Sequence, residues 1–304
     1  MSEFKDDTFS KVFDEFLIYA SIRRKKQGFE TLQHNLRLHV LPYFKNKHIS
    51  DLRKKDIIDW QTIILSKNFS NSFNNSLYSG FSSFIQYCIV CEYIDENIVL
   101  SVPRFTKKNE KKEHNVYNIF EFRRFRRHLD SYIDKQFFNF IFFYGTRPSE
   151  TMALKFSVLD KNKVHIIHNL QRRGKRELDT PKNQSSIRTI EINFLMRFRI
   201  HKLKKIYIKK YGTDINDFFI FGGIKPLSTT TLDRHKSTAC KKAKIKEITQ
   251  HEFRHSYATR MIRKGVPVDF VSRSMGHSNV SMTLNVYTHN EKRMQCIPFL
   301  NKFL

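Results

Sequence analysis

The chain has 304 residues, of which 40% are hydrophobic, and 55 Lys and Arg against 29 Asp and Glu give it a formal charge of +26. This length predicts two domains. Its four cysteines exclude a disulfide-rich fold, and the lack of any run of about 18 apolar residues excludes a membrane-spanning helix. With no apolar signal core near its start, we expect a cytoplasmic protein whose positive surface binds a polyanion.

The positive charge lies almost wholly in the second part of the chain. Residues 1–105 carry 14 Lys and Arg against 12 Asp and Glu, whereas residues 106–304 carry 41 against 17. A mutational bias of the genome would act on both parts alike. The asymmetry therefore favours a nucleic-acid-binding surface on the second part.

Apolar residues at helical spacing predict four helices in the first part. These helices lie near residues 9–20, 32–40, 57–64 and 73–88, and the second stops near Pro42. They predict a small helical bundle as the first domain, residues 1–105. Cys88 and Cys91 fall one turn apart in the fourth helix, and without a second pair they indicate a helix face rather than a zinc site.

The second domain is predicted to be α+β, mainly α with a small sheet. Residues 106–115 are polar and typical of a linker, and residues 116–304 follow as the second domain. Alternating patterns predict strands at residues 164–170 and 186–192, joined by a basic hairpin. Helical patterns occupy most of the remainder of this domain.

The string HEFRH at residues 251–255 permits two interpretations. It matches the H-E-x-x-H zinc motif, but the continuation that would supply a third zinc ligand is missing. Alternatively, His251 and Arg254 share one helix face, and short helices ending at glycines bring His277 and Tyr287 close to them. A tyrosine among Arg and His side chains favours phosphoryl transfer without a metal.

Four separated motifs resemble the tyrosine recombinase family, which is also called the phage integrase family. The run from His251 through Gly276 and His277 to Tyr287 is similar to its C-terminal signature, H-x-x-R, then G-H, then Tyr. YGTRPSETMAL at residues 144–154 is similar to its first arginine box. TPKNQSSIRTIEI is similar to its β-hairpin, and the N-terminal bundle is similar to its core-binding (SAM-like) domain. The resemblance covers nearly the whole chain.

This resemblance implies a covalent mechanism on DNA. Tyr287 would attack a phosphodiester to give a 3′-phosphotyrosine and a free 5′-hydroxyl. His251 would assist as general base, and Lys182 would protonate the leaving oxygen. Lys175 lies in the same hairpin and remains an alternative to Lys182.

The resemblance also implies how the reacting phosphate is held. Arg147, Arg254 and His277 would stabilise the phosphorane-like transition state. Glu150 matches the acidic residue that supports the first arginine. No cofactor and no metal are implied, because the covalent link conserves the energy of the phosphodiester bond.

The resemblance further implies partners and a setting. The partner would be double-stranded DNA, and the active form would be a homotetramer on two sites, with no membrane involved. Accessory DNA-bending or directionality factors are compatible with it, and a phage or other mobile element is the expected source. Residues 297–304 dock either on their own domain or on a neighbouring protomer, and the protein is expected at the nucleoid in the cytoplasm.

Two other functions fit part of the pattern. A type IB topoisomerase would use the same Arg, Lys, His and Tyr chemistry as a monomer, without strand exchange. A non-catalytic DNA-binding regulator would explain the charge but would not need the catalytic residues at family spacing. Site-specific recombination, as integration, excision, inversion or dimer resolution, explains the charge, the motifs and their order.

Overall fold

The computed structural model describes residues 7–106, 115–170, 178–179, 186–212 and 214–277. Within these ranges the chain is mainly α-helical with short antiparallel strands, which confirms the predicted fold class. None of the helices in them is both long and apolar enough to cross a membrane. The chain divides into two compact units, with the boundary between residues 111 and 112.

The first unit contains five helices in its described residues, one more than the sequence predicts. They are α1 (Phe9–Arg23), α2 (Lys26–His39), α3 (Leu41–Phe44), α4 (Lys54–Ser66) and α5 (Asn71–Val90). The difference lies at Pro42, which follows the end of α2 but stands in the first turn of the short α3. Proline is tolerated there because the first N–H groups of a helix have no intrahelical acceptor.

Aromatic side chains fill the core of the first unit. The ring of Phe9 lies 4.8 Å from the ring of Phe84, measured between centroids. Trp60 donates its indole N–H to the carbonyl of His39, which ties α4 to the end of α2. Cys88 is fully buried on α5, whereas Cys91, predicted to share its helix face, is the residue after the helix and is only partly buried.

The second unit combines helices with two small antiparallel sheets. Its described helices are α6 (Ile119–Arg127), α7 (Tyr132–Tyr144), α8 (Pro148–Met152), α9 (Phe194–Tyr211), α10 (Thr229–Ala243), α11 (Gln250–Arg263) and α12 (Val268–Met275). Its strands are β1 (Leu159–Asp160), β2 (Lys163–Ile166), β3 (Asn169–Leu170), β4 (Leu178–Asp179) and β5 (Arg188–Glu191). One sheet has the order β1-β2-β5, and the other pairs β3 with β4.

The single strand predicted at residues 164–170 is divided between the two sheets. Ile166 pairs with Arg188 in the first sheet, and Leu170 pairs with Leu178 in the second. Four positions separate the two residues on the outgoing strand, whereas ten separate their partners on the returning chain. The outgoing strand is interrupted at residues 167–168, which belong to neither ladder.

Helix α7 lies at the centre of the second unit. Its residues Phe137, Phe138, Phe140 and Ile141 are fully buried. Phe253 of α11 packs against it, with its ring centroid 4.9 Å from that of Phe138. This packing fixes the end of α7, and with it the chain that leaves the helix towards residue 147.

Gly145 ends α7 in a conformation that suits glycine. Its φ angle is 65°, in the left-handed region, and its N–H donates to the carbonyl of Ile141. The ring of Tyr257 lies directly against it. A β-carbon added at Gly145 would stand 2.8 Å from Cε1 of that ring and closer still to Cδ1.

We expect Gly145→Ala to lower the free energy of unfolding of the second unit by about 3 kcal/mol, because left-handed strain adds to a clash in a packed region. Gly212→Ala is the matched control. Gly212 ends α9 with a φ of 61°, but its added β-carbon would meet nothing within 4 Å, so about 1 kcal/mol is expected. Urea unfolding followed by far-ultraviolet circular dichroism measures both losses. Equal losses would contradict the role of the Tyr257 ring.

Candidate active site

Arg147 is placed by the start of α8. Pro148 takes the first helical position, and Glu150 takes the third, so that its carboxylate accepts the backbone N–H of Arg147 at 2.9 Å. The same carboxylate accepts Nη1 of Arg147 at 2.6 Å. One local motif therefore fixes both the backbone and the side chain of Arg147, whose side chain stays 30% exposed.

The Glu150 carboxylate is the common partner of three guanidinium groups. It is only 2% exposed, and besides Arg147 it accepts Nη2 of Arg188 at 2.9 Å and lies 3.9 Å from Nη1 of Arg254. Burial by itself would raise the pKa of Glu150, but Arg188, followed by Arg147 and Arg254, outweighs burial and holds that pKa below its ordinary 4.5. Glu150 is therefore ionised at neutral pH.

The same three arginines also bind the C-terminal turn of α12. Nε of Arg188 donates to the carbonyl of Ser274, and Nη2 of Arg254 donates to the carbonyl of Met275, both at 2.8 Å. Nη2 of Arg147 donates to the carbonyl of Gly276, also at 2.8 Å. The last carbonyls of a helix lack intrahelical donors and carry partial negative charge, so this turn attracts cations.

Arg254 is the most buried of the three, with 4% of its surface exposed. It lies on α11, which begins with a capping box between Thr249 and Glu252. Burial, followed by Arg147, lowers the pKa of Arg254 to about 9, so the guanidinium remains protonated at neutral pH. Among the described residues, its Nη1 has no hydrogen-bond partner.

His277 follows directly on this turn. Gly276 ends α12 with a φ of 68°, and the N–H of His277 donates to the carbonyl of Ser272. Burial, followed by Arg254 and Arg147, lowers the pKa of His277 to about 3. The imidazole is therefore uncharged at neutral pH and acts as a hydrogen-bonding group rather than a cation.

Comparison with known families identifies the chain. The model of the phage integrase family matches residues 112–294, and the model of the phage integrase N-terminal SAM-like domain matches residues 8–65. The chain belongs to the phage integrase family. The recognition made from the sequence and the predicted enzyme class, a tyrosine site-specific recombinase, are confirmed.

Curated relatives span most of this recombinase. The ICEBs1 integrase of Bacillus subtilis is 23% identical over 298 residues, which cover 93% of this chain and 79% of that protein. A tyrosine recombinase described as XerC-like, from Caldanaerobacter subterraneus, is 24% identical and covers 83% of this chain and 72% of that protein.

Solved structures show the same fold. The Tn1549 transposon integrase, in complex with transposon right end DNA, superposes with a TM-score of 0.74 at 20% identity, over 95% of this chain and 98% of that one. A lambda integrase tetramer bound to a Holliday junction superposes with a TM-score of 0.71 at 15% identity, over 91% and 76%.

Four of the predicted site residues of this recombinase come together in the structure. Arg147, Glu150 and Arg254 share the contacts described above, and His277 adjoins them. They come from the start of α8, from α11 and from the chain just after α12. Residues that lie 130 positions apart in the sequence therefore form one cationic cluster around one buried carboxylate.

The other predicted residues differ in how far the structure describes them. His251 lies in the first turn of α11 with an exposed side chain, one helical turn before Arg254. Lys182, its alternative Lys175, and Tyr287 lie outside the described residues. Within the described ranges, no group of three His, Cys, Asp or Glu side chains could hold a metal ion, which includes those of the HEFRH string.

The sequence interpretation missed Arg188. This residue lies on β5, its side chain is 9% exposed, and it donates to Glu150 and to the carbonyl of Ser274. A signal for it exists in the sequence, because Arg188 shares the inward face of an alternating strand with Ile190. A cation on such a face requires a buried anionic partner.

We expect the second unit to lose stability as the pH falls below 6.5. Unfolded His277 takes up a proton near its ordinary pKa of 6.5, whereas the folded imidazole does so only near 3. Between these values the unfolded chain binds more protons, so acid favours unfolding. His277→Gln should flatten the fall in unfolding free energy between pH 6.5 and about pH 5, measured by urea denaturation.

The control for this experiment is His165→Gln. His165 lies on β2, where its ring hydrogen-bonds the side chain of Thr189 on β5, outside the arginine cluster. This variant should keep the pH slope of the unaltered protein. A slope for His277→Gln equal to that of His165→Gln would refute the assignment.

Proposed function

We propose that this member of the phage integrase family recombines double-stranded DNA at specific sites through a 3′-phosphotyrosine on Tyr287. The observation that carries the proposal is the cluster of Arg147, Arg188 and Arg254 around the single carboxylate of Glu150. Three positive charges against one negative charge leave an excess that suits a phosphodiester. The cluster stands in a unit whose overall charge is strongly positive.

The arrangement supports binding of the non-bridging oxygens of the reacting phosphate. Nη1 of Arg254 has no hydrogen-bond partner among the described residues, and the Arg147 side chain is partly exposed. His277 is a neutral hydrogen-bond donor beside them. Fixed donors of this kind stabilise charge that develops in a transition state, because they need no reorganisation when the reaction occurs.

The chemical steps follow from these roles. The phenol oxygen of Tyr287 forms a bond to phosphorus as the bond to the 5′-oxygen breaks. His251 removes the proton of the phenol, and Lys182 gives a proton to the leaving 5′-oxygen. The reverse attack by a 5′-hydroxyl of another strand restores the phosphodiester and frees Tyr287. No external energy source is needed, since one phosphate ester replaces another.

The proposed partners are DNA and three further copies of the chain. The Tn1549 integrase is described in complex with transposon DNA, and the lambda integrase as a tetramer on a Holliday junction. We assign residues 1–105 to core binding, residues 106–115 to a linker and residues 116–304 to catalysis. A phage or other mobile element is the proposed source, as for the ICEBs1 and Tn1549 integrases. Action at the nucleoid, in the cytoplasm, completes the proposal.

We expect Tyr287→Phe to abolish the covalent protein–DNA adduct while DNA binding persists. The ring and all cations remain, but the attacking oxygen is gone. The substrate is the junction DNA at the ends of the element that carries the gene, nicked beside the cleavage position so that the adduct accumulates. The adduct is resolved on a denaturing gel, and binding is measured by mobility shift.

The matched control is Tyr257→Phe, which removes a hydroxyl that lies 3.4 Å from that of Ser274 and should leave the adduct intact. Loss of adduct with Tyr257→Phe, but not with Tyr287→Phe, would show that the nucleophile is misassigned. Mixing two labelled duplexes then tests the enzyme class. Exchanged products indicate a recombinase, whereas relaxation of supercoils without exchange indicates a type IB topoisomerase.

We also expect cleavage to survive EDTA. The positive charge at the phosphate is assigned to Arg147, Arg254 and Lys182, which chelation does not remove. Adduct formation is measured with and without the chelator, using the same nicked substrate. Loss of the adduct on chelation, restored by Zn²⁺, would instead support the zinc interpretation of residues 251–255.

A further inference from the structure

Each of the three guanidinium nitrogens of Arg188 donates a hydrogen bond to another group of the protein. Nε donates to the carbonyl of Ser274, Nη1 to the carbonyl of Ser186, and Nη2 to the carboxylate of Glu150. The three distances are 2.8, 3.0 and 2.9 Å. With its side chain 9% exposed, Arg188 has little surface left for DNA.

These bonds connect three separate elements of the site. Glu150 belongs to α8, Ser274 to the last turn of α12, and Arg188 itself to β5, which a register of four residue pairs holds on β2. The sheet thereby fixes the backbone of Arg188. Because the guanidinium binds both groups from this fixed position, it sets the distance between the Glu150 carboxylate and the end of α12.

The other two arginines depend on the same pair of partners. Arg147 and Arg254 each contact Glu150. On the turn of α12, Arg254 donates to the carbonyl after the one that Arg188 binds, and Arg147 donates to the carbonyl after that. If the carboxylate or the turn of α12 moved, both guanidinium groups would move with it. A displacement of about 1 Å in such groups can slow a reaction about 100-fold.

We propose that Arg188 is a positioning residue. It holds Glu150 and the end of α12 in fixed relative positions and thereby orients the guanidinium groups of Arg147 and Arg254 towards the reacting phosphate. This inference rests on the proposed function. Arg188 does not touch the phosphate itself. Its planar fork is essential because three acceptors in different directions must be held at once, which an ammonium group at a single point does not do.

Two substitutions separate the charge of Arg188 from its geometry. Arg188→Lys keeps a cation near Glu150 but loses the fork, and Arg188→Met loses both. We expect each variant to form the Tyr287 adduct about 10 to 100 times more slowly at saturating DNA, which is typical when a supporting hydrogen bond is lost. DNA affinity should remain that of the control, Arg197→Met, which removes one charge from an exposed site on α9.

The pH dependence of the cleavage rate distinguishes positioning from a general structural role. Glu150 faces Arg147 from the chain before α8, Arg188 from β5, and Arg254 from α11, with His277 beyond them. Arg188 is the largest of the charges that keep its carboxylate ionised. The acid limb of the pH–rate profile should therefore move to higher pH in Arg188→Met and stay in place in Arg188→Lys.

Several outcomes would overturn the inference. Adduct formation at the unaltered rate in both variants would do so, and so would a loss that appears only as weaker DNA binding, since Arg188 would then contact DNA. If circular dichroism shows that Arg188→Met does not fold, the rate of adduct formation by Arg188→Lys at saturating DNA decides whether the inference stands. If the unaltered protein forms no tyrosine-linked adduct at all, it is the proposed function that fails, and the inference falls with it.

Discussion

The buried carboxylate of Glu150 organises the arginine cluster in the second unit of this recombinase. Glu150 is almost inaccessible to solvent, and an ion in such a place costs several kcal/mol unless it is paired and hydrogen-bonded. Its partners are the guanidinium groups of Arg147, Arg188 and Arg254. The requirement also acts in reverse, because three clustered arginines would repel one another without the carboxylate. Glu150 therefore holds together the positive charge that the proposed reaction on a phosphodiester requires.

The helices and strands of the second unit hold the three guanidinium groups at positions from which they contact the Glu150 carboxylate. Helix α7 ends at Gly145, two residues before Arg147, and the packing of α11 on α7 carries Arg254 to the same point. The sheet contributes Arg188 through β5. Helix α12 contributes no charged side chain to the cluster but offers three successive carbonyls and then His277. Each of these elements therefore places a polar group at the cluster, either at its end or on its inward face.

The sequence predicted those parts of the site that depend on local motifs. Arg147 and Glu150 are three residues apart at a helix start, and the motif around Arg254 and His277 resembles a family signature. Arg188 escaped the prediction because its partner Glu150 lies 38 residues away, and strand alternation reveals that a side chain points inward but not what it meets. The role of the α12 carbonyls was not predicted, because every residue has a backbone carbonyl and the sequence does not indicate which of them accept hydrogen bonds from the arginines.

The fold shows the same division between local and distant causes. Helix periodicity predicted most of α1 to α7, because burial of one face repeats along the chain. The break between β2 and β3 was not predicted, since it depends on which segments of the returning chain pair with each strand. Pro42 was predicted as a stop, yet proline fits both just after one helix and at the start of the next, and the tertiary structure decides between them.

The contacts of the arginines with the end of α12 bear on how the site tolerates mutation. Their acceptors are main-chain oxygens, which every amino acid possesses. The side chains of Ser274 and Met275 can therefore change without removing these acceptors, provided that α12 still packs. Gly276 is different, since its φ of 68° disfavours residues with a β-carbon. Along this turn, selection should thus act on backbone shape at residue 276 and on the buried side chain of Met275, and leave the side chain of Ser274 freer to diverge.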